Sequence, residues 1–304
     1  MKTDYTLLSR AAVQVCAEQH YPTGTLYMVA VPIGNLADIT LRAIYVLGLA
    51  DLVACEDTRH SQNLLRAYGL DGPRRLLALH AHNEQTAADA VLDCLQQGQR
   101  VAYISDAGTP GLSDPGARLV QRARSAGLPV MPLPGASSLT TLISASGVLQ
   151  DDEHAAWLFR GFLPAHGAAR QQAIAALGAE PRAQLVLESP HRILALAEAL
   201  RPLGHRRLTV GRELTKAHEE IVTLESAELG AWLQAQPQRT KGEFILALHG
   251  ASGDTQSPCD VDNVLRALLV HVPLKSAVNI AVQCTGMPRN ALYARALQLQ
   301  TDSA

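Results

Sequence analysis

Cysteine is sparse in this 304-residue chain and follows no pattern. Cys16, Cys55, Cys94, Cys259 and Cys284 are odd in number and scattered, and no C-x-x-C occurs. That argues against the disulfide framework of a secreted domain and against a zinc knuckle. An excess of charge is missing too. Lys and Arg total 26 against 28 Asp and Glu, a formal net charge of −2, which excludes a uniformly basic nucleic-acid coat but not a local basic face. Only four of the basic residues are lysine, a skew that in so alanine-rich a chain reads first as genomic bias. No uninterrupted apolar run approaches the roughly 18 residues of a membrane helix. The opening MKTDYTLLSRAAVQVCAEQH carries Asp4, Arg10 and Glu18 in its apolar stretch, so it is not a signal peptide. Internal repeats, low-complexity tracts and the G-x-G-x-x-G of a dinucleotide site are all absent. The expectation is a soluble, cytoplasmic protein with no membrane and no metal partner.

What is present is ordinary globular material, 47% apolar and 18% charged. At about 150 residues per domain the length suggests two domains, and such a chain buries roughly three quarters of its unfolded surface without a staple. Residues 1–21 read as a helical extension. Strand signals then alternate with helix signals at 25–31, 51–56, 76–80, 100–105 and 128–133, which predicts a parallel sheet covered on both faces over residues 22–150. The charged DDEH at 151–154 marks a boundary, and a second α/β half follows over 151–250. ASGDTQSP, 251–258, reads as a linker, and residues 259–304 as a small helical, helix–turn–helix-like module.

Ligands of parallel α/β sheets bind at the carboxyl ends of strands, and four loops there stand out. The turn Pro32-Ile33-Gly34-Asn35 follows the first strand and is, on its own, more often a tight turn than a site. Ser105-Asp106-Ala107-Gly108-Thr109-Pro110 runs on through Asp114-Pro115, which also has a plain reading as the start of a helix. Small residues there admit a ligand and a carboxylate accepts its hydrogen bonds. Gly135-Ala136-Ser137-Ser138 is a strand-to-helix turn that either holds an anion on its N–H groups or is simply capped by a serine. Glu56-Asp57-Thr58-Arg59 places ionisable groups where a core does not want them; capping by Asp57 or Thr58 accounts for only one of them. His80-x-His82 has no third ligand nearby, which disfavours a metal and leaves a lining or capping role for His82 and Asn83.

Taken in order, LYMVAVPIGNLADIT, ACEDTRHS, LHAHNEQ, YISDAGTPGLSDPGARLV, PLPGASSLTTLISASG, FRGFLP, ESPHRI, GRELTKAHEE and KGEFILAL resemble the small-subunit ribosomal RNA methyltransferases of the tetrapyrrole (corrin/porphyrin) methylase superfamily, over roughly residues 25–250. Ala30-Val31 depart from the Pro-Thr expected before the first turn. The resemblance implies two α/β domains of the tetrapyrrole-methylase type with the cofactor cleft between them, and a homodimer. It also implies S-adenosyl-L-methionine as cofactor and methylation of a cytidine ribose 2′-hydroxyl in the decoding region of 16S rRNA. Carried onto this sequence, it assigns the cofactor to Pro32, Gly34, Asn35, Asp106, Ala107, Gly108, Thr109, Pro110, Gly135, Ala136, Ser137, Ser138 and Glu188.

Position alone nominates Glu56, Asp57 and Arg59 as catalytic groups, with Lys241 and Glu243 as second choice. Arg160 to Lys216 holds nine basic against four acidic residues, a possible RNA face or merely a solvated one. His82, Asn83, Arg192, Arg212, Lys216, Lys241 and Arg289 are the candidate RNA contacts. The competing readings are a small-molecule (tetrapyrrole-type) methylase and a non-catalytic RNA-binding assembly factor.

Overall fold

Strands that read as continuous apolar runs become the buried centres of two sheets. In a computed structural model, which describes residues 5–72, 75–80, 82–149, 156–250, 261–285 and 287–301, the first sheet comprises β1 (Leu26–Val29), β2 (Leu52–Cys55), β3 (Arg75–Ala78), β4 (Val101–Ile104) and β5 (Val130–Leu133). Their order is β3-β2-β4-β1-β5 and every pairing is parallel. The two-residue period of a strand divides the side chains cleanly. Tyr27, Val29, Val53, Cys55, Ala102 and Ile104 enter one core with α1 (Thr6–Cys16), α2 (Leu41–Leu49) and α3 (Thr58–Ala67). Leu26, Met28, Leu52, Ala54, Val101 and Tyr103 enter the opposite core with α4 (Glu84–Gln96) and α5 (Gly116–Ser125). The N-terminal extension is thus helical as expected, and Ala12 and Cys16 of α1 are buried in the sheet's own core.

The second sheet is mixed rather than parallel. It comprises β6 (Trp157–Phe162), β7 (Ala183–Glu188), β8 (Arg207–Arg212), β9 (Glu220–Glu225) and β10 (Phe244–Leu248), in the order β6-β7-β10-β8-β9. Only β6 and β7 run parallel, because α7 (Gly167–Ala179) crosses between them, whereas the remaining neighbours are antiparallel. Phe244, Leu246 and Leu248 face α7, α8 (Ile193–Leu200) and α9 (Leu229–Gln234). Ile245 and Ala247 face the other way and meet Leu139 and Leu142 of α6 (Ser138–Ser146), so the last helix of the first half covers the second sheet. That packing fixes the first sheet's loops against the second sheet.

The DDEH boundary and the 251–258 linker lie outside the described residues. Chain contacts divide into two compact units, 1–250 and 251–304. In the latter, α10 (Val261–His271), α11 (Leu274–Thr285) and α12 (Arg289–Thr301) bury Leu265, Val278, Ala281, Leu292 and Leu299 in a core of their own. No helix among the described residues is long and apolar enough to cross a membrane.

Candidate active site

The four loops singled out from sequence meet at one edge of the first sheet. Val31 and Gly108 exchange backbone hydrogen bonds of 3.0 and 3.1 Å, which ties the turn after β1 to the loop after β4. Thr109 Oγ1 donates to the Ala136 carbonyl at 3.0 Å and brings in the turn after β5. The loop after β2 is clasped reciprocally: Asp106 N–H donates to Glu56 Oε1 and Asp57 N–H donates to Asp106 Oδ1, both at 3.2 Å. Gly108 has φ +80°, and a Cβ there would lie 3.1 Å from Ile33 Cγ2, so glycine permits both the backbone angle and the approach of the loops.

The loops after β1, β4 and β5 face a cavity of about 300 Å³ whose far wall belongs to the second sheet, and no residue of the loop after β2 lines it. Ile33, Ala107 and Ser138 line one side; Phe162, Leu187, Glu188, Leu214 and Glu243 line the other. A smaller cavity of about 120 Å³ shares several of these residues and adds Gly108, Thr109 and Ser137. A concave, mostly apolar site with a few convergent polar groups is what a small-molecule cleft requires.

Three polar features give the cleft its chemistry. Glu188 is only 2% exposed; Arg192 Nε lies 3.1 Å from its Oε1, and its buried Oε2 has no hydrogen-bond partner. A buried acceptor of that kind is costly unless something donates to it. At the start of α6 no side chain caps the helix, Ser137 included, leaving its first N–H groups toward the cleft and suited to an anion. On the rim, Lys216 Nζ sits 2.9 Å from Glu213 Oε1 and 3.1 Å from Glu243 Oε2. These carboxylates raise the Lys216 pKa against the opposing effect of its burial. Glu213 and Thr215 hold positive φ of 51° and 66°, and Thr215 Oγ1 accepts from Asn35 N–H at 3.1 Å, joining this strained loop to the first turn.

The catalytic candidates separate. Glu56 is half-buried, and desolvation, reinforced by the Asp106 and Asp114 carboxylates, raises its pKa although the Asp106 N–H opposes the shift. Asp57 is the N-cap of α3: its Oδ1 accepts from Arg59 N–H at 2.8 Å and His60 N–H at 3.4 Å. Arg59, with its side chain 89% exposed, pairs with Asp57 at 3.3 Å. Asp114 is likewise committed to the fold, accepting from the N–H groups of Gly111, Leu112 and Gly116 and from the Tyr103 hydroxyl.

Among the RNA candidates, Arg212 requires correction. It is 5% exposed, and its guanidinium donates to the carbonyls of Lys241, His218 and Gln238 and to Glu220; it pins the loop beneath it and presents no face to RNA. Asn83 is also engaged, donating to the Ala78 carbonyl and accepting from His80 N–H. Arg192 donates to the Leu163 carbonyl beside its ion pair with Glu188. His82, Lys241 and Arg289 are exposed. The sequence reading missed Phe162, Leu187, Leu214 and Phe244 as cleft wall, since apolar residues on strands look alike wherever they face. Among the described residues no group of three or more His, Cys, Asp or Glu side chains is gathered as a metal site.

The class that this fold and cleft define is the Tetrapyrrole (Corrin/Porphyrin) Methylases, whose sequence profile matches residues 25–230. A second profile, the RsmI C-terminal HTH domain, matches residues 255–300. The chain is 44% identical to the Ribosomal RNA small subunit methyltransferase I of Escherichia coli O157:H7, over 91% of this chain and 96% of that protein. It is 45% identical to the protein of the same name from Pasteurella multocida, over 91% and 98%. The chain therefore belongs to the ribosomal RNA small subunit methyltransferase I family of the tetrapyrrole methylases. The fold is shared with uroporphyrin-III C-methyltransferase from Thermus thermophilus in a complex with S-adenyl homocysteine, at TM-score 0.52 and 16% identity, covering 73% of this chain and 96% of that one.

Proposed function

We propose that the protein transfers the methyl group of S-adenosylmethionine to the ribose 2′-hydroxyl of a cytidine in the decoding region of 16S rRNA, acting in the cytoplasm as a homodimer. The observation that carries this reading is identity of 44% along 91% of the chain with a ribosomal RNA methyltransferase; the cytidine, the ribose oxygen and the dimer come from the family resemblance. The cleft fits the cofactor. Glu188 Oε2 is an unsatisfied buried acceptor matched to hydroxyl or amine donors of the adenosine half. The uncapped start of α6 suits the carboxylate of the methionine half, and Gly108 lines the smaller cavity beside it. When bound, the cofactor supplies an electrophilic methyl on a sulfonium. The chain's own task is then alignment of the ribose oxygen with that methyl, together with help for a poorly acidic hydroxyl. In this reading Glu56, made more basic by its burial and by Asp106 and Asp114, accepts the proton, and Arg59, paired with Asp57, steadies the forming alkoxide.

The test is transfer of labelled methyl from S-adenosylmethionine to purified small subunits, followed by digestion to nucleosides. Label in 2′-O-methylcytidine supports the reading, and label confined to a base or to a porphyrinoid acceptor overturns it.

Two further outcomes follow. Glu188→Gln should bind S-adenosylmethionine roughly 10- to 100-fold more weakly, since a charge-assisted hydrogen bond is worth about 1.5–3 kcal/mol. Calorimetry with a chelator present measures this and checks metal independence together; unchanged affinity would remove Glu188 from the cofactor site. Deletion of residues 259–304 should weaken RNA association in filter binding and leave cofactor affinity nearly intact, because that segment builds its own core around Leu265, Val278 and Leu292. Collapse of cofactor binding on deletion would make the helical unit part of the cleft.

A further inference from the structure

Aromatic residues make up 4% of the chain, and only three are phenylalanine. All three line the cleft: Phe162 and Phe244 the larger cavity and Phe159 the smaller. Their exposures differ. Phe244 is 3% exposed and belongs to the core, whereas Phe162 is 51% exposed at the mouth. Phe162 lies at the end of β6, the edge strand of the second sheet.

Its orientation is not what strand geometry gives by default. Phe159 and Phe162 are three residues apart, and an uninterrupted strand would send them to opposite faces. The pairing with β7 slips between Phe159 and Gly161: Phe159 pairs with Leu185, Gly161 with Val186 and Phe162 with Leu187, leaving Arg160 as an extra residue. Gly161, at φ +64°, supplies the left-handed backbone of this bulge. Both phenylalanines consequently share the face of Leu185 and Leu187 that looks into the cleft. A bulge that turns an aromatic ring out of the core and leaves half of it in water makes no contribution that core packing explains.

We infer that Phe162 is the platform on which the target nucleobase stacks when its ribose enters the cleft. This rests on the ribosomal RNA reading above. Splayed, single-stranded bases are held by stacking on exposed aromatic rings. Three aromatic side chains stand among the exposed large hydrophobics of the described residues, Trp157, Phe162 and Tyr293; of these, Phe162 alone lines the cleft. Apart from Glu188, which is buried, the groups given to the cofactor above belong to the loops of the first sheet, so the half-exposed ring of Phe162 is available to the second substrate. Cytosine requires no particular edge contact for this, which makes Phe162 a positioning group for the base and not a reader of its identity.

Steady-state methylation of small subunits by Phe162→Ala, Phe162→Leu and Phe162→Tyr, with cofactor affinity measured separately, tests the proposal. Phe162→Ala and Phe162→Leu are expected to raise the KM for subunits by about tenfold or more, with cofactor Kd unchanged, and Phe162→Tyr to stay near wild type. A loss of cofactor affinity at unchanged subunit KM would assign the ring to the adenine and overturn the proposal. Wild-type behaviour of Phe162→Leu would reduce the ring to an apolar wall and overturn it equally. If the wild-type protein itself labels no small subunits, the RNA reading fails first, and that result is separable from the mutant comparison.

Discussion

Gly108→Val is expected to fold and to lose most of its affinity for S-adenosylmethionine, by about 100-fold or more. Gly108 holds φ +80° while its N–H and carbonyl both bond to Val31. A side chain at positive φ costs an L-residue about 1–2 kcal/mol, and a β-branched one more. The first atom of that side chain would also press on Ile33 Cγ2 at 3.1 Å, with the Ala136 carbonyl at 3.6 Å, so the loops after β1, β4 and β5 must separate. Against a domain stability of about 5–15 kcal/mol that loss leaves the protein folded. Ligand geometry is less forgiving: losing about 3 kcal/mol of hydrogen bonding to the displaced loops lowers affinity by about 100-fold. Calorimetric titration of Gly108→Val, with circular dichroism as the control for folding and Gly108→Ala as an intermediate case, reads the effect. Wild-type affinity in a folded mutant would mean that the loop is structural only.

The second large effect is expected on turnover. With saturating cofactor, single-turnover methylation by Glu56→Ala or Arg59→Ala should fall by about 10²–10³-fold for at least one of them, the usual consequence of removing a group that acts on developing charge. The competing view of Arg59 is an exposed ion pair with Asp57 on a helix cap, whose loss would change stability by about 1 kcal/mol or less and turnover hardly at all. Glu56 offers an independent check through pH. Its folded-state pKa is raised, first by burial and then by Asp106 and Asp114, so the unfolded chain gives up this proton first as pH rises. Stability contributed by Glu56 is therefore present below the ordinary carboxylate range and lost as pH climbs through the raised value. Glu56→Gln should accordingly be at least as stable as wild type at neutral pH, with the advantage vanishing in acid, while its turnover is reduced. Near wild-type rates for both alanine variants would move the search to Glu243 and Lys241.

Much of this was legible in the sequence because the relevant signals are local. The apolar runs at 25–31 and 100–105 are too short for helices and are bounded by turns, and they contain β1 and β4. The loops at their carboxyl ends stood out because small residues and carboxylates are poor core material, and they do meet at one sheet edge. What was not legible depends on pairing. Nothing in QLVLE or EFILALHG announces that β7 and β10 run antiparallel. That Arg212 is buried under three carbonyls follows from where the loops at 218 and 238–241 fold back, and charge in sequence cannot show it. Asp57 and Asp114 illustrate the same limit in the site itself. An aspartate before a helix is equally suited to cap it or to bind a ligand, and only the N–H groups it faces decide. The orientation of Phe162 hinges on one inserted residue in a strand, and an unpaired sequence carries no record of register.

The destination of the methyl group distinguishes an RNA methyltransferase from a methylase of small molecules. Primer extension at limiting nucleotide concentration across the decoding region of 16S rRNA, from a strain lacking the gene and from the same strain with it restored, answers this directly. A stop at a single cytidine that is lost in the first and regained in the second is the expected result, with restoration failing for Gly108→Val. An unchanged pattern of stops in the two strains would contradict the assignment of ribosomal RNA as the substrate.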